Sequence, residues 1–116
     1  MKKFAHRFSN IKTPIEFSIG CNARENDTII DLADKNDIWF HVQDHPSCHV
    51  IASIPKEMTK KQIITIVKMG SNLCVNHTNK LKKEKKLVVI YTTVKHLQKT
   101  NVLGTVNASE LKSIQV

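Results

Sequence analysis

The stretch that decides the fold is Ile38-Trp39-Phe40-His41-Val42, the densest apolar run in the first half of the chain. Its aromatic and β-branched residues predict a central strand. Asp44-His45-Pro46-Ser47 follows with turn chemistry, because proline cannot serve in a central ladder and aspartate can bond its own backbone. The apolar pattern resumes over Cys48–Ile54, so the two runs are predicted to pair as a hairpin.

Upstream of this hairpin, the sequence predicts a strand followed by a helix. Residues Ile15–Gly20 alternate apolar and polar side chains, which is typical of a half-buried strand, and a further strand is predicted over Phe4–Ile11. Asn22 is placed to cap a helix that runs to Ala33, because its side chain can accept a hydrogen bond from the first turn.

Downstream, a second helix begins after a capping box. Thr59 is the predicted N-cap, with Gln62 three residues later reaching back to it. Apolar residues then recur at three- and four-residue spacing from Ile63 to Cys74. This periodicity predicts an amphipathic helix of about five turns that buries one stripe.

The rest of the chain predicts mainly short strands. Residues Leu87–Thr93 form a β-branched apolar run, Val94–Lys99 suggests a helical turn, and two closing strands are expected over Gly104–Asn107 and Lys112–Val116. Together these elements predict an α+β fold, a single domain over residues 1–116 with a mixed or antiparallel sheet and two main helices.

Charge is distributed unevenly along the 116 residues. The chain carries 18 Lys and Arg against 10 Asp and Glu, a formal net charge of +8. Residues 1–58 hold 7 basic and 8 acidic residues, whereas residues 59–116 hold 11 basic and 2 acidic, a net of +9. Such one-sided charge indicates an anionic partner.

Other classes of protein are disfavoured. There is no run of ~18 apolar residues that could span a bilayer, and the start, Met1–Arg7, lacks the apolar core of a signal peptide. The three cysteines, Cys21, Cys48 and Cys74, are odd in number and scattered. They are expected to be free thiols in a reducing, cytoplasmic compartment.

His41, His45 and His49 stand at four-residue intervals, which on a helix would allow metal binding. Pro46 interrupts any helix there, but in a hairpin His41 and His49 could still face each other across the turn. The favoured interpretation is partly buried, hydrogen-bonded histidines. Cys48 beside His49 is weak support for an activated thiol, since catalytic partners are set by the fold. With no phosphate loop or paired-carboxylate motif, we expect no catalytic residue, no metal and no cofactor.

The basic residues favour nucleic acid. Residues 80–86 include five lysines in seven positions, a source of salt-sensitive phosphate contacts or simply a solvated loop. Several other lysines share this half of the chain, which favours binding over the solvated loop. The chain has only six aromatic residues, and those on strands are expected to pack in the core. Backbone and shape recognition is therefore favoured over base reading.

Several blocks resemble the NFACT-R domain family, over about residues 15–116. Asp37-Ile38-Trp39-Phe40-His41-Val42 is the most specific. The other blocks are Gly20-Cys21-Asn22-Ala23-Arg24-Glu25-Asn26-Asp27, His49-Val50, Tyr91-Thr92 and Lys112-Ser113-Ile114-Gln115-Val116. The resemblance implies an RNA-binding module of ribosome-associated quality control, whose larger members engage the large ribosomal subunit and tRNA. Here the module looks like a stand-alone version without the N-terminal domain and coiled coil, so the tRNA-dependent tailing activity is not transferred.

The resemblance also assigns residues. The family signature falls on Asn22, Asn26, Asp37, Trp39 and Asp44, with Trp39 expected in the core. RNA contacts are expected from two histidines emerging at the polar surface and from lysines, namely His41, His49, Lys82, Lys83, Lys85, Lys86, Lys95 and Lys99.

The chain departs from the family pattern in three places. Cys21 stands where a basic residue is common, Pro46-Ser47-Cys48 replaces a proline-glycine turn, and Asn76-His77 replaces a tyrosine-serine pair. The lysines of residues 80–86 are candidates to compensate for the basic residue that is absent at position 21.

The sequence thus predicts a non-enzymatic module that binds structured RNA, either tRNA or rRNA, through phosphates. Two alternatives stay open: a protein-interaction module that docks on a ribosomal or quality-control protein, and a DNA-binding version of the same domain.

Overall fold

The computed structural model describes residues 1–78 and 86–116. Within these residues the chain forms, in order, β1 (Lys2–His6), β2 (Ile15–Gly20), α1 (Ala23–Leu32), β3 (Ile38–Val42), β4 (His49–Ala52), α2 (Lys60–Asn76), β5 (Val88–Thr93), a 3-10 turn (Val94–His96), β6 (Leu97–Lys99), β7 (Val106–Ala108) and β8 (Lys112–Gln115). No helix among them is long and apolar enough to cross a membrane.

Six of the strands form one sheet in the order β1-β2-β4-β3-β5-β8, and β6 pairs with β7 in a separate hairpin. All of the pairs are antiparallel. The predicted α+β class with two main helices is confirmed, and of the two sheet types left open the antiparallel one is found. The predicted β3–β4 hairpin is also confirmed, with Trp39 opposite Ile51 and Phe40 opposite Val50.

The alternation of side chains along β3 gives the sheet two different faces. Ile38, Phe40 and Val42 point to one face, where α2 covers them with Ile66 and other apolar residues to form the main core. Gly70 of α2 sits on the ring of Phe40, since a Cβ built on it would lie 2.4 Å from that ring. The helix can approach the sheet this closely only because the position is glycine.

The opposite face is covered by α1 and by the β6–β7 hairpin. Trp39 and Ile51 pack there against Ile29 and Ile30 of α1, and Leu97 and Val106 of the hairpin lie against this cluster. A smaller core therefore joins α1, the central strands and the hairpin.

Both predicted helix starts are confirmed by hydrogen bonds. The Asn22 side chain accepts from the Glu25 N–H at 2.8 Å. At α2, the Gln62 N–H donates to Thr59 Oγ1 while the Thr59 N–H donates to Gln62 Oε1, which completes the capping box. Local sequence rules located these ends because capping depends on residues only three positions apart.

Three predicted elements differ from the structure. The first strand ends at His6, whereas it was expected to run to Ile11. The helical turn after β5 stops at His96, and the chain then becomes extended as β6. It does so because Leu97 packs against the smaller core and pairs with Ala108. The first closing strand, β7, lies slightly later than predicted, whereas the second, β8, begins at Lys112 as predicted and ends one residue earlier.

The expectation of three free thiols is wrong for two of them. Cys21 and Cys48 form a disulfide across 27 residues of sequence, and Cys74 is free and buried. Cys21 follows the end of β2 and Cys48 precedes β4, and these strands pair with Gly20 opposite His49. Odd number and wide spacing say nothing about such proximity, which arises only from the sheet register. The two bonded cysteines also fall at two of the three departures from the family pattern.

Thiol titration tests the disulfide directly. In denaturant without reductant, an aromatic disulfide reagent should detect one thiol per chain, and three after reduction. Reduction should lower the free energy of unfolding by about 3.5 kcal/mol, the loop-closure estimate for a loop of this size. Cys21→Ser should be insensitive to reductant. Three thiols in the unreduced protein would contradict the bond.

The close approach at Gly70 predicts a large cost for a small change. Gly70→Ala should lower the free energy of unfolding by about 1–3 kcal/mol through overpacking against Phe40, although alanine favours a helix by about 1 kcal/mol. Asn72→Ala, at an exposed position of α2, is the matched control and should change stability little. Urea denaturation measures both, and a Gly70→Ala protein as stable as the parent would rule out this packing.

Candidate nucleic-acid interface

A cavity of about 410 Å³ opens between the sheet and the β6–β7 hairpin. Its floor is formed by residues of the central strands, and its wall by the hairpin and the segment that follows it. The lining residues are Trp39, His41, His49, Ile90, Gly104, Thr105, Val106, Asn107, Ala108 and Leu111. This is the point at which the sheet face left uncovered by α1 meets the solvent.

Three rings of the floor form a connected cluster. The Trp39 indole N–H donates to His49 Nδ1 at 3.1 Å. The His41 ring stacks on Trp39, with centroids 5.8 Å apart and planes within 10°. His41 and His49 meet edge to face at 5.0 Å, so they do face each other across the hairpin. The indole can only donate, so His49 Nδ1 must be the unprotonated acceptor and Nε2 carries the proton.

Burial keeps both imidazoles uncharged. Desolvation, and secondarily the neighbouring His41, lowers the pKa of His49 to about 3. The pKa of His41 is also lowered by burial, partly offset by a hydrogen bond with the backbone of Val42. At neutral pH the pair therefore carries no positive charge.

The placement of the two histidines differs from the prediction in one respect. His41 is half-buried at the cavity, but His49 is only 6 % exposed, so it does not emerge at the polar surface. Trp39 is 3 % exposed, which confirms its expected place in the core. His49 is drawn inward because it is the hydrogen-bond partner that the buried indole needs.

The other signature residues support the backbone around this cluster. Buried Asp37 accepts from the Ile54 N–H at 3.0 Å and from the Asp34 N–H at 2.9 Å, which ties the start of β3 to the exit of β4. Asp44 adopts a positive φ of 63° in the exposed turn, a conformation that aspartate tolerates.

Asn22 caps α1, as described above, and buried Asn26 packs under Gly20. A Cβ on Gly20 would lie 2.7 Å from Asn26 Oδ1. This oxygen finds no hydrogen-bond partner within residues 1–78 and 86–116.

The predicted basic residues do not gather at the cavity. Lys86 and Lys95 are exposed, and neither lines it. Lys99 forms ion pairs with Asp27, at 2.9 Å, and with Asp31 of α1. These hydrogen bonds raise the pKa of Lys99. Lys82, Lys83 and Lys85 lie outside the described residues.

Sequence reasoning predicted a short strand over Gly104–Asn107 but missed its partner β6 and the hairpin that the two strands form. Both strands are only three residues long, too short for a periodic pattern. Gly104 has φ +81°, and a Cβ there would lie 2.6 Å from Ala23 Cα. The glycine thus allows the hairpin tip to rest on the first turn of α1.

The histidine series does not assemble as a trio. His45 lies exposed in the turn. Within the described part of the chain there is no group of three His, Cys, Asp or Glu side chains arranged to hold a metal ion.

Fold and cavity together define a small α+β binding domain organised around a buried Trp–His pair. A family model described as the NFACT protein RNA binding domain matches residues 5–108. The chain belongs to this family, which is one of RNA-binding modules.

Known proteins that are similar to it include the following two. The Rqc2 homolog RqcH of Bacillus subtilis (strain 168) is 33% identical over 86 residues, which cover 72% of this chain and 14% of that protein. The chain thus spans about a seventh of the length of this relative. The structure of the C-terminal part of the fibronectin/fibrinogen-binding protein from Streptococcus suis aligns with a TM-score of 0.77 at 21% identity. It covers 97% of this chain and 44% of that one, and it shows the same fold.

The low pKa of His49 predicts acid sensitivity. The folded protein keeps His49 neutral down to about pH 3, whereas the unfolded chain binds a proton near pH 6.5. The free energy of unfolding should therefore be highest above pH 6.5 and fall as the pH drops toward 3. Protonation of His49 alone contributes a slope of up to about 1.4 kcal/mol per pH unit.

The matched variant is His49→Gln, whose amide oxygen can still accept from Trp39 but does not titrate. Urea midpoints measured from pH 7.5 to 4 should fall less steeply for this variant than for the parent. Parallel pH profiles would contradict the buried, neutral state of His49.

Proposed function

We propose that the chain is a non-enzymatic module that binds structured RNA, either tRNA or rRNA, in ribosome-associated quality control in the cytoplasm. The observation that carries the proposal is the family match over residues 5–108, which includes the Trp39–His49 cluster. The similarity to RqcH, named as an Rqc2 homolog, supports the quality-control setting. Because the chain covers only 14% of that relative, no activity of the relative is proposed for it beyond RNA binding in this setting.

Phosphate contacts are assigned to lysines of the second half. The net charge of +9 over residues 59–116 is suited to a polyanion, and we propose that Lys82, Lys83, Lys85 and Lys86 are the principal contacts. Thr78 and Lys86, which flank residues 79–85, both lie at the end of the sheet where β4 begins and β3 ends. The Cys48 N–H donates to Thr78 Oγ1 at 2.9 Å, and the Gln43 N–H donates to the Val88 carbonyl at 2.8 Å.

Lys95 and Lys99 are expected to contribute unequally. Lys95 is exposed beside a second depression, which Lys112 also lines. The ammonium of Lys99 already lies on two carboxylates of α1. A phosphate would have to compete with these carboxylates, so Lys95 is the better candidate of the two.

If the lysines bind phosphates, removing them should weaken affinity for all nucleic acids together. Replacing Lys82, Lys83, Lys85 and Lys86 by Ala should weaken binding to tRNA, to an rRNA fragment and to DNA together. The slope of log affinity against log salt should fall by up to about 4, since each phosphate contact contributes roughly 1. Fluorescence anisotropy across a salt series measures both quantities.

A matched control removes the same charge from the other half of the chain. Lys3, Lys12, Lys35 and Lys56 are all exposed, and their joint replacement by Ala should change affinity much less. Equal losses of affinity in the two variants would indicate that binding depends on net charge and not on the position of the lysines. A parent affinity that hardly changes with salt would contradict the phosphate contacts.

Two further outcomes identify the partner. A protein recovered with the chain after ribonuclease digestion would favour a protein-docking module, since an RNA-mediated partner is lost on digestion. Equal affinity for DNA and RNA of the same sequence would indicate phosphate contacts alone, because only contacts to 2′-hydroxyls separate the two polymers.

A further inference from the structure

We propose that the cavity between the sheet and the β6–β7 hairpin binds a single unpaired nucleobase of the RNA. This inference rests on the proposed RNA binding, and it adds a base-binding site to the phosphate contacts. The occupant is a flat, uncharged ring taken from a loop or bulge, which is where RNA displays bases to proteins.

The chemistry of the cavity lining favours an uncharged occupant. None of the described residues around the cavity is Lys, Arg, Asp or Glu. Its two imidazoles are kept neutral by their burial, as shown above. A phosphate entering this site would lose its hydration without meeting a cation, which is costly. An uncharged aromatic ring loses much less on entering, so the lining selects a base over the backbone.

The rings at the floor of the cavity are held in a fixed geometry. His41 lies parallel to Trp39 and is half-buried, so its ring is one layer of a stack that begins in the core. Because His49 holds the indole by a hydrogen bond, the orientation of this stack is fixed before any ligand arrives. Unpaired bases commonly stack on a fixed aromatic ring face, and this stacking accepts any of the four bases.

The size and the wall of the cavity suit a single base. Its volume of about 410 Å³ falls within the roughly 300–1,000 Å³ of small-molecule sites. The wall supplies an exposed amide at Asn107, which can hydrogen-bond a base edge, and an apolar rim at Leu111. Gly104 holds this wall in place against Ala23. The site therefore combines a stacking floor with a polar edge.

The test compares three RNA hairpins of identical stem. One is fully paired, the second carries one bulged adenosine, and the third carries an abasic nucleotide at the same bulge. At moderate salt, the parent protein should bind the bulged adenosine hairpin roughly tenfold more tightly than either of the others, the scale of one base stacked on a ring.

Variants then assign the preference to the cavity. His41→Ala should abolish the preference for the bulged adenosine. His41→Phe, which keeps a ring, should retain it. His45→Ala is the matched control, since this histidine is exposed outside the cavity. Asn107→Ala, an exposed substitution on the hairpin that leaves the core intact, should reduce the preference.

The outcomes separate the two proposals. Equal binding to all three hairpins, or tight binding to the abasic one, would overturn the base site while leaving RNA binding in place. A preference that survives both His41→Ala and Asn107→Ala would likewise overturn it. Failure to bind any of the three at low salt would overturn both proposals.

Discussion

The hydrogen bond from the Trp39 indole to His49 is the interaction on which the rest of the structure depends. It lies in the buried middle of the β3–β4 hairpin, where an unpaired indole N–H would cost about 1–3 kcal/mol. It joins neighbouring strands, fixes the protonated nitrogen of His49 and orients the plane of Trp39. This hydrogen bond therefore fixes the orientation of the stacked His41 ring and of the floor of the cavity.

The two faces of the sheet differ in role because successive side chains of β3 point to opposite faces. Phe40 and its neighbours on one face are buried in the core beneath α2. Gly70 allows this helix to approach the sheet closely. The other face is covered only in part by α1, so the remainder is left to Trp39, His41 and the hairpin wall. A single strand thus supplies both the stability of the domain and the surface available for binding.

Much of the fold is local and was readable in the sequence. The N-cap at Asn22, the capping box at Thr59 and the β3–β4 hairpin rest on residues close together in the chain. The Cys21–Cys48 bond and the inward turn of His49 depend on β2–β4 register and on the needs of a buried indole. No local pattern encodes either of them. The ion pairs of Lys99 with α1 likewise required the hairpin to fold back across the sheet.

RNA is proposed to contact the Trp39–His41–His49 floor as well as the lysines. Trp39 is the only tryptophan, so its indole N–H gives one resonance in a ¹H–¹⁵N spectrum. On titration with the bulged hairpin, we expect a saturating shift of that resonance, and a much smaller one with the paired stem. An indole resonance that stays in place while bound RNA shifts backbone amides elsewhere would contradict RNA contact at this floor.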